Sequence, residues 1–148
     1  MKKFKQFFLE KQVLGLVEFF NIEGIHDRIP AKLDSGNGAY NVLHGENIQI
    51  QGKKLVFKTV NNRTIIKDII GTIPINVGSG HTEERPVVHF NVTVGDKSFN
   101  NVPFSIGDRT TNIHKILAGK NFIEKNLEAL IDVGRENIVG DNIQATNL

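Results

Sequence analysis

The chain has 148 residues, a formal net charge of +2 with its histidines neutral, and no cysteine. That length fits one domain with its own hydrophobic core, and the missing cysteines exclude disulfides, thiolate catalysis, zinc fingers and iron–sulfur clusters together. Apolar residues at 39% and charged residues at 23% describe a globular chain rather than a disordered one, and basic residues that are dispersed apart from Lys2, Lys3 and Lys5 leave no electrostatic footprint for nucleic acid.

Residues 1–10 read as an N-terminal extension. Phe4, Phe7 and Phe8 sit among lysines, but the apolar run is too short to span a membrane and lacks a small-residue cleavage site. The expectation is a cytoplasmic chain with no membrane partner. A single domain is expected over 11–138, followed by a tail over 139–148 in which Gly140-Asp141-Asn142 has turn composition.

Within the domain, runs rich in β-branched residues and phenylalanine alternate with Gly, Asn and Asp, which predicts strands. In chain order they are 13–20, 28–33, 47–51, 54–60, 64–70, 71–77, 86–94, 97–106 and 130–133, with Gly52, Asn61-Asn62 and Gly95-Asp96 as turns. Val88, Phe90, Val92 and Val94 alternate with His89, Asn91 and Thr93, the period-2 signature of a half-buried strand. One short helix is predicted over 119–126, with Phe122 and Ile123 facing a core and Lys120, Glu124 and Lys125 facing water. The fold class that follows is all-β and mainly antiparallel, a small, partly closed barrel or sandwich with no internal repeat.

Three segments carry chemistry. Asp34-Ser35-Gly36 ends an extended stretch: a carboxylate on a tight loop, a hydroxyl to bond that loop and a glycine to let backbones approach suit acid–base work, although the same triplet also makes a plain turn. Ile116-Leu117-Ala118-Gly119 reads by itself as a buried strand ending at a helix start. Gly78-Ser79-Gly80-His81-Thr82-Glu83-Glu84-Arg85-Pro86 is a glycine-flanked polar cluster between two strands. It offers a metal-binding His and Glu, an Arg to orient a carboxylate, or a solvated turn. The spacing is not His-Glu-x-x-His, and His44, His89 and His114 fall on different elements, so no zinc site is expected.

These segments together resemble the family named ATP-dependent zinc proteases, of the ribosomal-modification-associated type, which are retropepsin-like aspartic proteases despite that name. The resemblance begins at Leu14-Gly15-Leu16-Val17-Glu18-Phe19 and continues through Ile29-Pro30-Ala31-Lys32-Leu33-Asp34-Ser35-Gly36 and Leu43-His44. It takes in Gly80-His81-Thr82-Glu83-Glu84-Arg85, its most specific match, then Asp108-Arg109, Ile116-Leu117-Ala118-Gly119-Lys120 and Leu130-Ile131-Asp132-Val133. It implies a retropepsin-like acid-protease barrel in which Asp34 is catalytic and a hydrophobic-hydrophobic-Gly segment lies beside its loop. Ser35, Gly36, Ile116, Leu117 and Gly119 then support that loop, and His44, His81, Glu83, Glu84, Arg85 and Arg109 are substrate-binding or flap candidates. Arg109 has three expected roles: pairing with Glu83 or Glu84, holding the Asp34 loop, or forming a surface ion pair of little energetic weight. No metal and no cofactor is implied, and no Gly-x-x-x-x-Gly-Lys-Ser/Thr string is present for ATP.

Aspartic proteolysis takes two carboxylates that share one proton. Asp132-Val133-Gly134 lacks the hydroxyl and lacks a following hydrophobic-hydrophobic-Gly element, so it reads as a strand end. With one usable triplet per chain, the expectation is a homodimer around a twofold axis, acting on a peptide or protein substrate. After the triplet the family has Ala-Arg-Thr-Ser, a small residue and Leu-His, whereas this chain has Asn37-Gly38-Ala39-Tyr40-Asn41-Val42-Leu43-His44. The arginine is missing, so an inactive protease-fold protein serving as a structural or binding component stays open beside the endopeptidase. A metal-dependent hydrolase, as the family name suggests, is the third reading. Richness in Ile, Asn and Lys points to an AT-rich genome such as a low-GC bacterium or a phage, the latter placing the chain in a virion or host cytoplasm.

Overall fold

The computed structural model describes residues 12–34, 40–76, 78–127 and 129–132. The first predicted strand is split at Leu16 into β1 (Gln12–Gly15) and β2 (Val17–Ile22). The buried Glu18 carboxylate accepts the Gly15 N–H at 3.0 Å and closes the kink between them. There follow β3 (His26–Leu33), β4 (Asn41–His44), β5 (Glu46–Gln51), β6 (Lys54–Lys58), β7 (Thr64–Asp68) and β8 (Gly71–Asn76). The chain continues through β9 (Thr82–Val94), β10 (Lys97–Gly107) and β11 (Ile116–Ala118), a single-turn π-helix over Phe122–Asn126, and β12 (Ala129–Asp132). No helix among the described residues is long and apolar enough to cross a membrane.

Six strands close a barrel in the order β10-β4-β11-β3-β2-β9, with β9 returning to β10. Most pairings are antiparallel, but β3–β11 and β4–β10 are parallel. β8 extends the sheet beyond β9, β5-β6-β7 form a separate three-stranded sheet, and β1 pairs in parallel with β12. The protein is therefore mostly β, with almost no helix.

Leu33, Leu43, Phe104, Ile106 and Ile116 fill the barrel with essentially no exposure. The three-stranded sheet covers one side through Leu55 and Phe57, and the Phe57 ring meets Phe90 edge-on at 6.5 Å. Phe90 in turn meets Phe104 at 6.0 Å. Gly45 permits this approach: a Cβ there would stand 2.5 Å from Ile106 Cγ2 and 2.9 Å from Phe57 Cδ2. The predicted helix is present, with Phe122 and Ile123 buried as the pattern requires and Phe122 edge-on to Phe20 at 5.7 Å.

Although the sequence shows no repeat, the barrel has an internal twofold relation. Exchanging β2-β3-β4 with β9-β10-β11 preserves every pairing in it. Val17 opposite Lys32 corresponds to Val87 opposite Ser105, and Ile22 opposite His26 corresponds to Val92 opposite Phe99. Even the bulges match: Arg28 and Asn101 both have left-handed φ, at 56° and 54°. Each donates its N–H to an asparagine one strand away, Arg28 to Asn21 Oδ1 at 2.6 Å and Asn101 to Asn91 Oδ1 at 3.0 Å. Hydrogen-bond register carries this symmetry, and side-chain identity does not, which is why no repeat can be read from the residues.

Candidate functional site

Asp34 follows the last residue of β3, half-buried, at the carboxyl end of a barrel strand. Its backbone N–H donates to the Ala118 carbonyl at 3.0 Å, continuing the parallel β3–β11 ladder in which Ala31, Lys32 and Leu33 face Ile116, Leu117 and Ala118. The Ile116–Gly119 segment thus lies directly beside the Asp34 strand. Ser35 and Gly36, together with Asn37, Gly38 and Ala39 of the departing segment, lie outside the described residues.

The residue that joins these pieces is Asn41, 2% exposed at the start of β4. Its Oδ1 accepts the Gly119 N–H at 2.8 Å, and its Nδ2 donates to the Pro103 carbonyl at 3.1 Å. One amide therefore ties the end of β11 to β10 next to Asp34. Asn41→Ala leaves the buried Gly119 N–H unpaired and takes one donor from the part-buried Pro103 carbonyl, so it is expected to cost about 1–3 kcal/mol in a denaturant titration. A loss below about 0.5 kcal/mol would show that water replaces the amide at no net cost.

The twofold relation sets Gly107, after Ile106, where Asp34 follows Leu33 in the other half. Around Gly107 the structure gathers His44, Arg85, Asp108 and Arg109. His44 lies opposite Gly107 and is buried at 3% exposure. Its Nδ1 accepts the Arg109 backbone N–H at 2.8 Å, and its Nε2 is 3.3 Å from Glu46 Oε1. An Nδ1 that accepts an N–H carries no proton, which leaves the ring proton on Nε2, the nitrogen that faces Glu46. His44, Glu46 and Asp108 are near enough to suggest a metal site, but the donor set does not fit one. Nδ1 is already taken by an N–H, and a metal on Nε2 would require that nitrogen to give up its own proton as well.

Asp108 Oδ1 accepts both the hydroxyl and the backbone N–H of Thr110. These bonds hold its carboxyl below the ordinary value of 3.8, helped by His44 and Lys115 and opposed by some desolvation. The folded-state pKa is depressed, so the contribution to stability is present above the unfolded-state value and is lost as pH falls through the folded one. A carboxyl-carbon titration should therefore place the Asp108 midpoint below 3.8 and move it upward in Thr110→Ala. An unmoved midpoint would remove Thr110 as the cause.

Arg109 pairs with neither Glu83 nor Glu84: its Nε donates to the His114 carbonyl at 2.9 Å. Burial, and after it the positive charge of Arg85, lowers its pKa from the ordinary value, and the guanidinium remains charged. Lys115 Nζ bonds the carbonyls of Arg109, Thr110 and Asn112, at 2.8, 3.1 and 3.1 Å, and rounds off the loop.

Where the pattern predicts a strand only from Pro86, β9 begins at Thr82, so Thr82, Glu83, Glu84 and Arg85 are strand residues opposite Asn76, Ile75, Pro74 and Ile73 of β8. The β8–β9 ribbon carries Gly78, Ser79 and Gly80 at its tip, all with positive φ, and His81 is exposed beside them. Glu83 and Glu84 are exposed as well, and Arg85 is half-buried at the ribbon's base.

Seven of the predicted residues fall into two groups, while His81, Glu83 and Glu84 stand exposed on the ribbon outside both. Asp34, Ile116, Leu117 and Gly119 meet at one end of β11; His44, Arg85 and Arg109 meet at the other. Ala118 bonds the Asp34 N–H and Lys115 bonds the His44 N–H, a three-residue step along β11 that spans about 10 Å. The linking residues Asn41, Gly107, Glu46 and Lys115 had no motif to mark them. A buried asparagine between two glycine-containing segments has no signature apart from its partners.

No protein-family profile and no curated protein matches the chain. A crystal structure of a protein with unknown function (DUF785) from Legionella pneumophila matches it with a TM-score of 0.71 over 86% of this chain and 98% of that one. The two are 23% identical, so the likeness establishes a shared fold.

Proposed function

We propose that this chain is a retropepsin-like aspartic endopeptidase that works as a homodimer, with Asp34 contributed by each copy. The observation that carries the reading is the junction of β3 with β11. The Asp34 carboxylate stands at the carboxyl end of a barrel strand, and its backbone is tied to the apolar segment that ends in Gly119. The Legionella fold likeness adds no activity to this, and the reading rests on the site's own layout.

Two further features support it. The β8–β9 ribbon with its glycine tip has the form of a hairpin that closes over an extended peptide. The β1–β12 pair is a sheet of only two strands among the described residues; such a sheet is marginal by itself and has backbone groups to offer another copy. In the dimer one Asp34 is ionised and accepts a proton from the attacking water, while the other is protonated and polarises the scissile carbonyl. Like charges this close cannot both ionise, so the two titration steps belong to the pair.

A structure of the assembled protein tests the reading. Two Asp34 carboxylates within hydrogen-bonding reach across a twofold axis are expected; carboxylates far apart in every assembly exclude this mechanism. In that event the barrel is a binding or structural component, consistent with the missing arginine after the triplet.

A further inference from the structure

We propose that the base of the β8–β9 ribbon is an oxyanion site in which Arg85 and Arg109 together take a phosphate-type dianion. Arg85 Nε is buried and has no hydrogen-bond partner. The carboxylate nearest to it, Glu83 Oε1, stands 3.9 Å away, too far for a hydrogen bond. A charged donor removed from water without an acceptor is costly, and a built acceptor is the usual remedy.

The Arg85 guanidinium can lie at this place because position 107 is glycine. A Cβ there would meet Arg85 Nη1 at 3.0 Å and Cζ at 3.2 Å, so the guanidinium lies flat against bare backbone. Arg109 leaves the same stretch of chain two residues later and is anchored by its Nε bond to His114 and its backbone bond to His44. The other charged groups of the neighbourhood are committed elsewhere. Asp108 is bonded to Thr110, Glu46 to His44 and Thr110, and Lys115 to three carbonyls. Glu83 remains as an internal competitor, 57% exposed.

Two guanidiniums favour a dianion with several acceptor oxygens over a single carboxylate. Free phosphate and the phosphoryl group of a monoester offer that same chemistry. The site lies toward the other end of β11 from Asp34 and does not depend on proteolysis.

The test follows the Arg85 Nε–Hε resonance of the folded protein by NMR at constant pH and ionic strength. Inorganic phosphate should shift it saturably. Glu83→Gln, an exposed change that removes the competitor, should tighten binding, and Arg85→Lys should weaken it roughly tenfold or more. Phenyl phosphate distinguishes the sources: tighter binding than phosphate assigns the site to a phosphoryl ester, weaker binding to the free ion. The proposal is overturned if the shift does not saturate, if chloride reproduces it, or if acetate binds as tightly as phosphate. An unchanged affinity in Glu83→Gln removes the competition on which it rests, and that variant keeps the test decisive should Arg85→Lys fail to fold.

Discussion

If the proposed aspartic-protease reading holds, Asp34→Asn should lower peptide-bond hydrolysis by at least about 1000-fold and leave the proposed dimer intact by sedimentation. Asparagine keeps the size of the side chain and one oxygen acceptor but neither ionises nor supplies an acidic proton, so both halves of the water-activating pair are lost. Asp34 is half-buried and its backbone bond to Ala118 does not involve the carboxylate, so the substitution keeps the β3–β11 ladder. Mixing sharpens the result. If each working site draws one carboxylate from each copy, activity in co-refolded mixtures of wild type and variant falls as the square of the wild-type fraction. A linear fall would assign the work to single chains, and undiminished turnover in the pure variant would end the aspartic-protease reading.

Phe90→Ala should cost about 3–5 kcal/mol, the largest loss expected from any single truncation considered. The Phe90 ring is 2% exposed and lies between Phe57 of the three-stranded sheet and Phe104 of the barrel, edge-on to both, with the Lys67 ammonium 4.5 Å over its centroid. Removing it opens a cavity and also separates two sheets that no shared hydrogen-bond ladder joins. In a domain of this size that loss lowers the melting temperature by roughly 10 °C. Phe99→Ala, at a partly buried ring that touches the core only at its edge, should cost distinctly less. Urea titration of the two variants checks the order, and equal losses would show that the Phe57–Phe90–Phe104 row is not the seam between the sheets.

The strands that alternate in sequence are the ones that lie half-exposed in the structure. β6, β9 and β10 each present one face to the core, and their period of two is legible. β4 has no counterpart among the strands that the alternation predicts, and β11 is legible only as the short buried run before Gly119. Asn41–His44 is buried at all four positions, and Ile116–Ala118 is only three residues long in the middle of the barrel. A strand covered on both faces has no reason to alternate. The beginning of β9 was hidden for the opposite reason: Thr82, Glu83 and Glu84 are exposed, because the ribbon projects beyond the barrel and has no core to face.

The site divides along the same line. Asp34 and the Ile116–Gly119 segment were recognisable as a pair, and they lie side by side. That His44, Arg85 and Arg109 gather around Gly107, a three-residue step from Asp34, follows from the parallel register of β4 with β10. Register is a property of pairs of strands, and no single stretch of sequence contains it.

The pairing of β1 with β12 also sets an order of events in time. Gln12 meets Ala129, a partner more than a hundred residues further along the chain. At translation rates of about 5–20 residues per second, on the order of ten seconds separate the emergence of the two from the ribosome. The six barrel strands all lie between them and can close while β1 still waits. If two copies join through this small sheet and share the proposed site, that site is the last part of the molecule to exist, and a nascent chain could not cleave its surroundings until β12 has left the exit tunnel.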